Sequence, residues 1–179
     1  MSTSILAFNI SQFFLSLNYC LLPCILEKAG FNPKVICFFL NYLIGRKTWY
    51  FWNSFSSSFF NVDVGVGQGS VLSPIVSTLY LVLILYILKN HLKFLKIPIS
   101  ILSFVNNSLF IAQRKSFSLS NSLFFCSYNI ASSLLLKFDL TIKHAKTEVF
   151  HFSRSIGAFN PSLLNLSTLG GSILYSKET

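Results

Sequence analysis

Short apolar runs alternate with stretches of helical spacing along this chain, and the boundaries fall at asparagine, glycine and proline. Ile5 to Ile10 is short, apolar and β-compatible, which predicts a buried strand. From Ser16 the spacing becomes helical, with Leu17, Leu21, Leu22, Ile25 and Leu26 on one stripe that runs to Gly30. Asn32 and Pro33 suit the cap and first turn of a second helix, which carries Val35, Ile36, Phe39, Leu40 and Leu43 and stops at Gly45. Lys47 to Trp52 and Ser58 to Val64 are aromatic and β-branched around a serine-rich turn, an extended hairpin.

Gly65 to Ser70 is too rich in glycine for a regular element. Ser70 or Ser73 is placed to cap the long apolar helix that follows, with Pro74 in its first turn. That helix closes among Lys89, His91, Lys93 and Lys96, where cations offset the negative end of the helix dipole. Ser103 to Phe110 predicts a second hairpin. Asn106 and Asn107 are expected to fill its two central turn positions, because asparagine tolerates positive φ. A helix from about Ser118 to Lys137 and a strand from Thr147 to Phe152 complete the pattern, and Ser153 to Thr179 reads as a poorly packed tail. The order predicts one mixed α+β domain over residues 1–152.

Composition adds a tension. Of 179 residues, 53% are hydrophobic and 11% charged, which lies between a soluble domain and a membrane protein. Val71 to Leu88 approaches spanning length, so a small multi-span membrane protein is one reading. Ile5 to Leu26 is also uncharged, but polar residues and Pro23 interrupt it, and it lacks the basic head and cleavage site of a signal peptide. The formal charge of +9 comes from 14 Lys+Arg against 5 Asp+Glu, a shortage of acids more than a surplus of bases. It is weak evidence for a basic binding face. Cys20, Cys24, Cys37 and Cys126 show no zinc spacing or disulfide framework and are expected as buried apolar thiols in a reducing compartment.

Three stretches together resemble the reverse transcriptases of non-long-terminal-repeat retrotransposons. Gly65 to Pro74 is similar to the G-x-P-Q-G-S-x-L-S-P signature, with Gly67 where the family usually has proline. Phe104-Val105-Asn106-Asn107 resembles the F/Y-x-D-D box, and Ala7 to Asn18 resembles the first catalytic motif, a strand ending in aspartate before an aromatic pair and a helix. Leu140 to Glu148 is similar to a motif with a lysine ahead of a strand. The matches occur in family order, so hydropathy alone does not account for them, and no membrane is expected. The resemblance implies a polymerase palm, a ferredoxin-like antiparallel sheet packed on helices. It also implies a fragment lacking fingers and thumb, whose tail leads toward a missing primer grip.

The resemblance further implies RNA template, DNA primer and dNTP as partners, Mg²⁺ as cofactor and an intracellular setting, cytoplasm or nucleus. In such enzymes two Mg²⁺ ions about 3.5–4 Å apart activate the primer hydroxyl and stabilise the phosphate in flight. Magnesium is held by carboxylates, phosphates and water. The three positions that match the family's metal-binding aspartates are Asn9, Asn106 and Asn107. Asparagine keeps the shape without the charge. A unit-charge pair at 4 Å is worth about 4 kcal/mol at an effective dielectric of 20, and a divalent ion about doubles that. The expectation is that metal, cofactor and polymerase activity are all lost.

Other roles implied by the resemblance are Phe14 as the aromatic steric gate, Gln68 and Gly69 against the incoming nucleotide and template, and Lys146 as the proton donor to pyrophosphate. Asp-to-Asn is a single G-to-A change, and with 20 Phe the chain has the composition of a degenerate copy drifting toward A·T. A non-catalytic remnant that touches nucleic acid weakly through Arg46, Lys47, Arg114, Lys115 and Lys146 is the alternative.

Overall fold

The computed structural model describes residues 2–67, 69–152, 166–167 and 173–174. The predicted tail from Ser153 lies largely outside the described residues, as does Gln68. In chain order the elements begin with β1 (Ser2–Asn9), α1 (Phe13–Ser16), α2 (Leu22–Lys28) and α3 (Pro33–Leu43). Four two-residue strands follow: β2 (Lys47–Thr48), β3 (Phe51–Trp52), β4 (Phe55–Ser56) and β5 (Phe60–Asn61). Then come α4 (Ser73–Phe94), β6 (Ser100–Phe104), β7 (Asn107–Arg114), α5 (Phe117–Leu136), a 3₁₀ turn (His144–Lys146) and β8 (Glu148–Phe152). The chain divides into two compact units, Met1–Ser11 with Ile84–Thr179, and Gln12–Leu83.

The first unit is built on an antiparallel sheet of order β6-β7-β1-β8. With helix between its first and second strands and again between its third and fourth, it is a βαββαβ, ferredoxin-like arrangement. β1 lies inside the sheet and alternates strictly. Ser2, Ser4, Leu6 and Phe8 are buried and their neighbours are half-buried. Leu6 pairs across to Phe110 and Val149, both buried, so one face forms a continuous apolar row. α5 packs on β1 and β7 and buries Phe124, Tyr128, Ala131 and Leu135. Phe8 meets the rings of Phe110 at 5.0 Å and Tyr128 at 5.8 Å, both edge-on. Such pairs add about 0.5–1.5 kcal/mol beyond area burial.

At the far end of β1 this interface turns polar. Fully buried Ser4 shares a 2.8 Å hydrogen bond with Nδ1 of His151, whose ring lies 4.6 Å from that of Phe117. Burial holds the His151 imidazole below its usual pKa. One turn along α5 from Phe117 sits Asn121, 3% exposed, with neither amide atom partnered.

The second unit departs from the sequence pattern in three places. The predicted helix from Ser16 to Gly30 is split: α1 ends where Leu17 turns extended, and Pro23 opens α2. Leu17, Leu22, Ile25 and Leu26 are still buried. The aromatic hairpin turns at Asn53-Ser54, not in the serine run. Asn53 takes φ 51°, and β3–β4 and β2–β5 form two short ladders with an offset between them. Tyr50, Phe51 and Trp52 are each at least 70% exposed. The third helix follows the sequence, with Asn32 accepting from the Lys34 N–H at 2.9 Å and Pro33 in the first turn.

All four cysteines are exposed, contrary to expectation. Cys24, Cys37 and Cys126 each lie two residues from a buried position of their helix, Leu22 or Leu26, Phe39, and Phe124 or Tyr128. Two residues are about 200° of helical rotation, which turns each thiol to the outer face.

Among the described residues, α4 is the one helix long and apolar enough to cross a membrane. A multi-span protein needs more than one, so that reading is not favoured. α4 buries Val76, Tyr80, Leu81, Ile84, Leu88 and Leu92, while Val82 and Tyr86 are more than half exposed.

Replacing Asn121 with leucine, which keeps the branched outline, is larger and has no polar atoms, is expected to raise stability by about 1 kcal/mol, the relief of two unpaired amide atoms less the cost of the added bulk. Chemical denaturation measures it, and a lower midpoint would show that the amide is satisfied.

Candidate active-site hairpin and glycine loop

The Asn-Asn pair does not fill the turn. β6 and β7 pair Phe104 with Asn107, so the two turn residues are Val105 and Asn106, and Asn107 is already strand. Two hydrogen bonds hold the displaced turn, one of them long-range. The Asn106 carbonyl accepts from the Ile10 N–H at 2.8 Å, and the Asn107 carbonyl accepts from the Ser103 hydroxyl at 3.1 Å. These bonds clamp the turn to the end of β1 and leave Val105, a β-branched residue, at φ 53°. Strain of this kind costs about 1–3 kcal/mol and persists only where neighbours impose it.

Asn9 and Asn107 are direct partners in the β1–β7 ladder, and the Asn9 Nδ2 donates to Asn107 Oδ1 at 2.8 Å. Asn106 joins them at the same sheet end through its backbone bond to Ile10. The first unit therefore brings together the three residues singled out from sequence. The Asn9 carbonyl accepts from Lys143 N–H at 2.7 Å, which fixes the segment leading to the 3₁₀ turn that carries exposed Lys146. The Tyr128 hydroxyl anchors that turn from α5, at 2.7 Å from His144 Nδ1 and 3.3 Å from Thr147 Oγ1. Burial pushes the Tyr128 phenol above its usual pKa, against a smaller lowering by Thr147.

These residues do not fit a pair of magnesium ions. Three neutral amides supply no charge, one amide oxygen is already engaged, and no group of three or more His, Cys, Asp or Glu lies together among the described residues. The acid in this sheet is Glu148, which pairs across β1 with Ala7, two residues before Asn9.

The glycine-rich loop lies in the second unit. Gly65 takes φ 77°, and a Cβ there would come within 2.7 Å of the Leu15 carbonyl oxygen and 2.9 Å of the Phe14 carbonyl oxygen. The close approach is held by Gly65 N–H to Leu17 O at 2.8 Å and Val66 N–H to Phe14 O at 2.7 Å. The loop is thus stitched to the helix that carries Phe14, whose ring lies 5.8 Å from that of Phe13. Arg46, expected from sequence as a weak nucleic-acid contact, instead donates to the carbonyls of Leu43 and Gly65. Its guanidinium sits 5.8 Å from the Tyr19 ring centroid.

Neither serine is a simple helix cap. Ser70 Oγ accepts from the Leu72 N–H at 3.3 Å and bonds to the Tyr42 hydroxyl, while Ser73, inside α4, donates to the Gly67 carbonyl. Gly69 takes φ 92° with open space at its Cβ position, so within the chain it is needed for conformation and not for room. Sequence reasoning missed the roles of Gly65, Tyr42 and Arg46. Their signal was only a glycine at the loop's start and a base just after a helix.

No protein-family description and no curated protein matches this chain. Solved structures do. The telomerase of Candida tropicalis in complex with a TWJ fragment of telomeric RNA superposes with a TM-score of 0.67 at 16% identity, over 89% of this chain and 27% of that one. The apo telomerase of Candida tropicalis gives 0.64 at 15% identity, over 88% and 30%. The telomerase of Candida albicans with a TWJ fragment gives 0.56 at 14% identity, over 86% and 28%. This chain spans less than a third of each. What is shared is a reverse-transcriptase-like fold, a mixed α+β arrangement whose antiparallel sheet and helices are palm-like.

Two substitutions test the strain. Gly65→Ala is expected to cost about 2–5 kcal/mol, from the left-handed backbone plus the clash with carbonyl groups. Val105→Gly is expected to gain about 1 kcal/mol, relieved strain less the added freedom of the unfolded chain. Thermal unfolding of both variants reads the two signs.

Proposed function

We propose that this chain is a palm segment of a reverse transcriptase of the non-long-terminal-repeat retrotransposon type, in which nucleotidyl transfer has been lost. The reading is supported by the order of the motifs, by the reverse-transcriptase-like fold, and by the convergence of Asn9, Asn106 and Asn107 at one sheet end. The observation that carries the loss is the hydrogen bond that the Asn9 side-chain amide donates to Asn107 Oδ1, in the place where the resemblance calls for metal-binding carboxylates. Two ionised carboxylates so close repel each other and need a cation between them. Two amides attract and need none.

On this reading, by the resemblance alone, Phe14, Gln68 and Gly69 match positions that meet the nucleotide in the family and Lys146 matches its proton donor, and RNA, DNA and dNTP are bound weakly or not at all. Of the basic residues considered for residual nucleic-acid contact, Lys47, Lys115 and Lys146 are exposed, whereas Arg46 is committed to backbone carbonyls.

Primer extension on an RNA template, with Mg²⁺ or Mn²⁺, is expected to stay at background for the native chain. Reverting Asn9, Asn106 and Asn107 together to aspartate is expected to create Mn²⁺ binding that the native chain lacks, read by calorimetry. Extension by the native chain, or equal Mn²⁺ binding by both, would overturn the reading.

A further inference from the structure

Two of the exposed cysteines, Cys20 and Cys24, lie one helical turn apart in the second unit. The chain coils from Asn18 into α2 without a break. The Asn18 carbonyl accepts from the Leu21 N–H at 3.1 Å, the Tyr19 carbonyl from the Leu22 N–H at 3.2 Å, and the Leu21 carbonyl from the Ile25 N–H at 3.1 Å. Asn18 Oδ1 also accepts from the Cys20 N–H at 3.0 Å, and Pro23 fixes its own φ between the two cysteines. Leu22, Ile25 and Leu26 take the buried side of this turn. Counted from Leu22 at about 100° per residue, Cys20 lies about 160° round and Cys24 about 200°. Both thiols therefore share the solvent side, and packing in the core does not account for either.

The spacing decides what such a pair can do. Residues one turn apart on a helix hold their Cβ atoms about 5–6 Å apart. A disulfide needs about 3.5–4.5 Å and would unwind the turn. An ion held between two sulfurs spans about 4.6 Å, twice a metal–thiolate bond of about 2.3 Å, which rotation about the two χ1 bonds can meet. No group of three or more His, Cys, Asp or Glu lies together among the described residues, so the pair does not offer zinc its set of four ligands there. An ion content with two ligands fits instead, and soft thiolates select Cu(I). We infer that Cys20 and Cys24 form a two-coordinate site for Cu(I). Two S–H bonds are exchanged for two S–Cu bonds, both protons go to solvent, and copper stays in the same oxidation state. The complex carries one net negative charge. Lys28, one turn beyond Cys24, and the chain's net charge of +9 offset it, against Glu27 alongside. The site does not depend on the asparagine hairpin or on the proposed loss of activity.

The test uses the full chain, reduced and kept free of oxygen, with Cu(I) supplied as its coloured bicinchoninate complex. The chain is expected to withdraw one equivalent of Cu(I) without changing its elution volume on size exclusion. Cys20→Ser and Cys24→Ser are each expected to weaken binding at least about tenfold. Cys37→Ser and Cys126→Ser remove exposed thiols that have no second cysteine one turn away, and are expected to leave binding unchanged. Equimolar Zn²⁺ is expected not to compete. Circular dichroism confirms that these surface variants remain folded. The inference is overturned if Cys20→Ser or Cys24→Ser binds as the native chain does, or if Cys37→Ser or Cys126→Ser weakens binding as much. Copper that joins two chains, or that Zn²⁺ displaces, overturns it as well.

Discussion

The structure depends on the register of β1. Leu6 and Phe8 are committed to the core by Phe110, Val149 and the ring of Tyr128, so Ala7 and Asn9 are committed to the opposite face. A slip of one residue would expose Phe8 and bury Asn9, forfeiting about 1.5–3 kcal/mol for the aromatic ring alone. With the register fixed, the rest of the sheet end is determined. Asn9 faces Asn107, the next amide of the chain reaches Asn106, and the Asn9 carbonyl collects Lys143. A core side chain thus decides the geometry of a polar site that it does not touch.

The electrostatics of that site invert those of the family it resembles. Carboxylates in these positions would store repulsion that a bound cation relieves, so fold and cofactor would be linked. The amide pair is complementary by itself: one N–H donates, one carbonyl accepts, and no net charge is left to neutralise. The turn still holds Val105 at positive φ, because the bonds from Ile10 and Ser103 impose it whether or not a metal is present. Strain and charge are therefore separable here. The backbone keeps the first without the second.

Much of this was legible in the sequence. Alternation in β1, the Asn32-Pro33 start of α3, the long apolar α4 and the apolar strand of β8 each follow from local pattern, and together they predict a mixed α+β domain, whereas the palm was implied by the motif resemblance alone. What was not legible has a common cause in long-range bonding. The turn of the second hairpin moved by one residue because Ile10, nearly a hundred positions earlier, holds Asn106. Arg46 looked like a free cation because nothing local reveals that the Gly65 carbonyl lies within its reach. The cysteines were expected inside on residue type, yet phase around the helix outweighed type. The offset between the two ladders of the aromatic hairpin, and the exposure of Tyr50 to Trp52, have no local signature at all.

Two kinds of constraint can be told apart by where the sequence holds to the family pattern and where it departs. Positions that answer to shape follow it. Gly65 leaves no room for a Cβ against the Leu15 backbone, Gly69 adopts φ 92°, and Leu6 and Phe8 fill the core. Positions that answer to charge depart from it, since Asn9, Asn106 and Asn107 are close in shape to aspartate and differ in ionisation. An exchange of aspartate for asparagine costs the fold little, because the amide fits the same space and finds its own hydrogen bond. A glycine exchange at 65 has no such escape, since the atoms it would meet are backbone.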